Sequence, residues 1–270
     1  MSRIKSAVSD AFAAAFLRIY MSRLRDSGVW RFSLHVWKII PAGVRNWINW
    51  RIVEPANDRS HQLVLSDKSL SSICDGNLGQ FSLPATSVVE LWRILSKRRP
   101  QKIIEMGSGL STLVFAQYAN RQSDLHGINI SVLSLDHDEH WASETRKMLA
   151  KCGLERFAFV VHAPIADRLF DGSNIQAYAV DERLLREYAG NTGFDFCLID
   201  GPPEYLSGRM GSLPLIAEYL SNGAGIYLDD ADREREIACW TRWQRVYGAA
   251  LSNSTFFAVP HGMFYGEWSK

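Results

Sequence analysis

Five acidic side chains stand where short apolar runs stop. Glu105 closes Ile103-Ile104-Glu105, Asp136 closes Leu133-Ser134-Leu135-Asp136, and Asp200 closes Cys197-Leu198-Ile199-Asp200. Asp229 and Asp230 together close Ile226-Tyr227-Leu228. An open parallel sheet binds its ligand outside the carboxyl ends of its strands, so acids in these places are expected to face a bound molecule. Acids there can take a cation, accept hydrogen bonds from hydroxyls, or remove a proton.

Glu105-Met106 is followed by Gly107-Ser108-Gly109, which runs straight into a helical pattern. Glycine lets backbone approach a ligand closely, and Ser111 or Thr112 suits the capping of that helix. A dinucleotide turn would place its third glycine at Thr112, where a side chain hinders close packing. A carboxylate at Glu105 would also repel a pyrophosphate. It suits a cation carrying an amino group, and S-adenosylmethionine is such a ligand. Asp136 is expected to accept both ribose hydroxyls. The other role for an acid there, capping the helix that starts near Glu139, fits Asp138 better.

The remaining polar candidates have plainer alternatives. His162, just past the run 157–161, is a candidate base or a structural histidine. His137 and His140 have H-x-x-H spacing without a third ligand nearby, which reads as two solvated residues at a helix start. Arg233 follows the paired aspartates and would anchor an anionic acceptor or balance Asp229 and Asp230.

These residues need a scaffold that brings strand ends together. Residues 87–99 start with Ser87-x-x-Glu90, carry Val88, Leu91, Trp92 and Leu95 at helical spacing, and stop at Pro100. Runs at 102–106, 130–136, 157–161, 194–200 and 225–229 predict strands with helices between most of them. A long helix over 233–247, with Trp240, Trp243 and Tyr247 in the core, precedes a further strand at 255–259. Such alternation predicts a parallel sheet covered by helices on both faces.

In this order EMGSG, LSLDHD, FDFCLIDGPP and GAGIYLDDADR resemble the successive strand-end motifs of class I S-adenosylmethionine-dependent methyltransferases, over residues 85–260. The resemblance implies a doubly wound, mostly parallel seven-stranded sheet with an antiparallel last strand, preceded by a helical N-terminal extension. It implies that Glu105, Gly107 and Gly109 line the methionine moiety, that Asp136 holds the ribose and Ala163 lies near the adenine, with Asp200 beside the transferred methyl. The catechol-type O-methyltransferases are a more distant resemblance. There the corresponding strand-end acids bind Mg2+ or Mn2+, which would make Asp200, Asp229 and Asp230 metal ligands, Asp230 replacing an asparagine. That family's lysine base falls at Pro203, leaving Asp200 and His162 as candidate bases. The expected reaction is methyl transfer to an oxygen of a small molecule or glycan, with residues 164–193 as a lid over the acceptor. A related-fold aminopropyltransferase and a non-catalytic, membrane-associated nucleoside-binding protein are the alternatives.

The whole chain carries a formal charge of +1, which conceals a division. Residues 1–53 hold nine basic side chains against two acidic ones, a surplus of +7 that leaves −6 for the rest. Apolar residues recur at helical spacing over residues 3–25, and Trp30, Trp37, Trp47 and Trp50 follow among basic residues. We expect an extension over 1–60 and a catalytic domain over 61–270, with residues 1–53 either touching an anionic membrane surface or packing on the core or a second subunit. The four cysteines lack C-x-x-C spacing and no run spans a membrane. The expected location is cytoplasmic, or peripheral on the inner face of the membrane, with no nucleic-acid partner.

Overall fold

The computed structural model describes residues 30–33, 36–37, 40, 42–74, 83–206 and 208–270. The amphipathic helix expected over residues 3–25 lies outside them. The elements in chain order are β1 (Trp30–Ser33), α1 (Ala42–Ile48), a π-helical turn (Asn49–Val53), α2 (Glu54–Ser66), α3 (Lys68–Cys74), α4 (Ala85–Arg98), β2 (Lys102–Met106) and α5 (Leu110–His126). Then come β3 (Ser131–Asp136), α6 (Glu139–Lys151), β4 (Phe159–His162), β5 (Ile165–Phe170), β6 (Ser173–Tyr178), α7 (Glu182–Ala189) and β7 (Phe194–Ile199). The chain ends with α8 (Ser212–Ile216), β8 (Leu220–Asp229), α9 (Glu234–Tyr247), β9 (Leu251–Ala258) and β10 (Met263–Trp268).

One sheet runs β1-β9-β10-β8-β7-β2-β3-β4. The five strands β4, β3, β2, β7 and β8 are parallel neighbours, and β10 is antiparallel to both β8 and β9. This is the doubly wound sheet that the strand-end motifs imply, with an eighth strand added at one edge. Helices cover both faces, so the central strands read as unbroken apolar runs whose successive side chains enter opposite cores. Ile104, Leu133, Cys197 and Ile226 enter one core; Ile103, Val132, Phe196 and Tyr227 enter the other.

The extension joins this sheet. β1 lies antiparallel to β9, Trp30 opposite Ala258 and Ser33 opposite Thr255. Trp37 stacks on Phe256 with ring centroids 3.7 Å apart, and Trp47 packs against the same core. Trp50 remains 60 % exposed. The boundary expected near residue 60 falls inside α2.

Two local readings change. The helix expected from Ser87 starts at Ala85, with Pro84 at its N-cap, so Ser87 and Glu90 form no capping box. Glu90 is buried and accepts instead from Arg31 Nη2 at 3.0 Å and Arg93 Nε at 2.9 Å. The lid segment contains a hairpin, β5–β6, turning at Asp171 (φ 49°) and Gly172 (φ 68°). Positive φ at both central residues is what a two-residue hairpin turn needs.

Candidate active site

The carboxyl ends of β2, β3, β7 and β8 bring the five acids to one edge of the sheet. Glu105 is fully buried at the end of β2. Its Oε2 accepts from the Thr112 hydroxyl at 2.5 Å and the Ser134 hydroxyl at 2.7 Å, while its Oε1 is buried without a partner. Burial pushes the carboxyl up to about 8, against the opposing influence of the neighbouring Ser111, Thr112 and Ser134 hydroxyls. A buried acceptor without a donor is a costly feature, and a ligand ammonium would satisfy it. Gly107 bends the chain at φ 96°, and a Cβ there would lie 3.1 Å from Gly201 N, so only glycine lets the β2 and β7 loops touch. At Gly109 an added Cβ would meet open space.

Asp136 Oδ2 accepts from Ser108 N at 2.8 Å and from the Ser108 hydroxyl at 2.6 Å, and Oδ1 accepts from Asp138 N at 3.0 Å. The acid therefore holds the glycine turn in place and keeps lone pairs for further donors. Asp138 is the N-cap of α6, accepting from His140 N at 2.8 Å. Ala163 is buried and its N–H donates to Asp136 O at 2.7 Å, which brings the end of β4 beside the end of β3. A buried orphan carboxylate oxygen, a glycine cradle and an acid on the next strand end fit S-adenosylmethionine.

Asp200, Asp229 and Asp230 converge, each offering an oxygen within 4.8 Å of the others. The cation among them is Arg209, on the 3-10 turn Arg209–Gly211. Its Nη2 lies 2.7 Å from Asp200 Oδ1 and 2.5 Å from Asp230 Oδ2, and its Nη1 donates to Asp229 O at 2.5 Å. Arg233 pairs with Asp230 at 3.0 Å, the balancing role of its two alternatives. Burial raises the Asp200 carboxyl to about 6, with Arg209 opposing and Asp230 reinforcing the rise. Burial, then Asp200 and Asp230, hold Asp229 well above the usual carboxylate range. Asp230 is also in the left-handed region, φ 54°, a strain seen at functional sites.

The expected divalent ion would have to share this donor set with Arg209. It would need the lone pairs of Asp200 and Asp230 that Arg209 Nη2 already occupies, at nearly the same distance from them. His162 lies apart from the acid cluster. It ends β4, the edge strand, three strand spacings of about 4.8 Å from β7, and its ring nitrogens face His137 O at 3.2 Å and Glu139 Oε2 at 3.7 Å. The sheet order separates it from Asp200.

Two residues join the site from outside the motifs. Arg209 reaches back from nine positions past the β7 acid, and no spacing announces it. Tyr178, the last residue of β6, has a buried hydroxyl without a partner, packed where a side chain on Gly201 would have to go. The Asp171-Gly172 pair, the commonest kind of hairpin turn, was its available signal.

The family described as a methyltransferase domain matches residues 104–231, a span holding Glu105, Asp136, Ala163, Asp200, Asp229 and Asp230. A solved O-methyltransferase from Bacillus cereus in complex with SAH is 13% identical over 87% of this chain and 100% of its own, with a TM-score of 0.54. The O-methyltransferase TomG from Streptomyces achromogenes, in complex with SAM and involved in tomaymycin synthesis, is 14% identical over 82% of this chain and 99% of its own, TM-score 0.54. An SAH-bound methyltransferase, PaMTH1, from Podospora anserina is 13% identical over 80% of this chain and 97% of its own, TM-score 0.53. At these identities the likeness is one of fold. A search of curated proteins found no match.

Proposed function

We propose that this chain is a class I S-adenosylmethionine-dependent methyltransferase, as the match of residues 104–231 to a methyltransferase domain supports, and that it transfers the cofactor's methyl group to an oxygen of a small-molecule acceptor. The observation that carries the reading is the orphaned, fully buried Glu105 Oε1 beside the Gly107 turn. S-adenosylmethionine supplies a methyl group on a sulfonium, a reactive electrophile that needs alignment more than activation. Glu105 takes the amino group, Gly107 and Gly109 let backbone run along the methionine moiety, Asp136 takes the ribose, and Ala163 lies against the adenine.

The acceptor hydroxyl must lose its proton as its oxygen attacks. Asp200 is the base: it ends β7 with a side chain that keeps 32 % exposure, so an acceptor hydroxyl can reach its free oxygen. Asp200 takes the proton as the acceptor oxygen attacks, and the bound cofactor would supply the methyl carbon for the new bond, with a neutral thioether as its leaving group. No step needs a divalent ion. A sugar hydroxyl of a glycan belongs to the same class of acceptor. The β5–β6 hairpin supports the reading of residues 164–193 as a cover over it.

For the basic extension we propose contact with an anionic membrane surface through residues 1–29 and the exposed Trp50. The surplus of basic side chains supports it, although Trp37 and Trp47 are spent on the core. No helix among the described residues is long and apolar enough to cross a membrane.

The test of the main reading is a melting curve with S-adenosylhomocysteine, which stabilises the folded chain if it binds it. Asp136→Ala should abolish most of the shift, because it removes the ribose acceptor and releases Ser108. An unchanged curve at millimolar ligand overturns the reading.

A further inference from the structure

Three carboxylates whose oxygens lie within 4.8 Å of one another need a positive charge between them or a shared proton. A hard divalent ion is one solution, held at about 2.0–2.6 Å from each oxygen. The chain supplies another. We propose that Arg209 takes the place of that ion, so that the site works without a divalent metal and Arg209 serves as the positioning residue for Asp200 and Asp230.

Four contacts fix the guanidinium across two strand ends. Nη2 meets Asp200 Oδ1 at 2.7 Å, Asp230 Oδ2 at 2.5 Å and Asp200 O at 2.9 Å; Nη1 meets Asp229 O at 2.5 Å. The planar fork explains why an arginine can do this and a lysine cannot, since donors on two nitrogens diverge towards β7 and β8 at once. Its charge persists at every working pH, so the cluster does not depend on ion supply.

The turn carrying Arg209 is itself locked. Gly211 packs so closely on Gln176 and Ala177 of β6 that a side chain would collide with them. Ser212 Oγ donates to Gly201 O at 2.9 Å, and Trp243 Nε1 donates to Met210 O at 3.0 Å. Buried Glu236 stands 3.8 Å from Nη1. The side chain is 4 % exposed, and withdrawing it would leave buried carboxylates uncompensated.

A consequence narrows the acceptor. A metal site favours two neighbouring oxygens that chelate the ion, whereas a site clamped by Arg209 asks for a single hydroxyl presented to Asp200. This last step rests on the methyltransferase reading; the account of what joins the three carboxylates does not.

Titration with Mn2+, the free ion followed by electron paramagnetic resonance, tests the proposal in the intact protein with and without S-adenosylhomocysteine. Wild type should bind no stoichiometric Mn2+ up to millimolar concentration. Arg209→Met frees the carboxylates and should bind Mn2+ at least about tenfold more tightly than wild type, whereas Arg209→Lys keeps a charge there and should not. A single micromolar Mn2+ site in wild type that Asp230→Asn removes overturns the proposal. That comparison decides the matter even if Arg209→Met fails to fold. The melting shift with S-adenosylhomocysteine is read separately, so loss of the methyltransferase reading cannot be mistaken for a metal site.

Discussion

The Thr112 hydroxyl donates to Glu105 Oε2 at 2.5 Å and accepts from Gly109 N at 3.0 Å, joining the end of β2 to the first turn of α5. A dinucleotide turn would carry glycine at this position for close packing; here a side chain is required. Thr112→Val keeps the shape and removes the donor. It should destabilise the protein by about 1–3 kcal/mol, the range for depriving a buried polar group of its partner, and Thr112→Ser should recover most of that loss. Urea denaturation of the three proteins measures it.

Glu105 makes binding and stability depend on pH. In the folded protein its proton is held up to about 8, against 4.5 ordinarily, because burial disfavours the charge. Between these values the folded state binds more protons than the unfolded one, so the Glu105 contribution falls as pH rises through that window. An ammonium beside it reverses the preference. Affinity for S-adenosylhomocysteine should therefore rise from pH 6 towards pH 8, with proton release visible by calorimetry in buffers of different ionisation enthalpy. Glu105→Gln should flatten both dependences; an unchanged proton release in that variant would remove Glu105 from the account.

The central strands and their terminal acids were legible because a strand buried on both faces leaves an apolar run that stops abruptly at a polar residue, as at Ile199-Asp200. β10 was not located from its residues. Gly266 interrupts its apolar pattern, and it must be glycine because Trp240 and Leu251 lie where a Cβ would go. β8 starts five residues before the expected 225, since Asn222 and Gly223 look like a turn yet continue the strand. Arg209 was illegible for a different reason. Its partners lie on two strands, and only the folded loop decides which arginine reaches them.

Tyr178 tests the hairpin. Burial first, then Asp136 and Asp200, hold its phenol well above the usual value, so it remains a donor at any working pH. Tyr178→Phe removes a buried hydroxyl that has no partner, which should leave stability unchanged or raise it by about 1 kcal/mol. Affinity for S-adenosylhomocysteine should fall about tenfold, the worth of one good hydrogen bond to the ligand. Calorimetric titration of both proteins checks it, and equal affinities would assign the hydroxyl no part in cofactor binding.

The extension separates two jobs that its sequence runs together. Trp37 is buried against Phe256 and Arg31 reaches Glu90, so residues from 30 onward help close the sheet edge at β9. Trp37→Ala should cost about 3–5 kcal/mol, the usual loss for truncating a buried aromatic side chain. A chain shortened to begin at residue 30 keeps these contacts and should melt near the full-length temperature, whereas one beginning at residue 61 loses β1 and Trp37 and should melt much lower or not fold. That difference decides how membrane contact must be tested. Flotation with anionic liposomes should carry the full-length protein and lose most of the chain beginning at residue 30, because five of the nine basic side chains of the extension precede that point. Equal flotation of the two folded proteins, or none of either, would leave residues 1–29 without a membrane role.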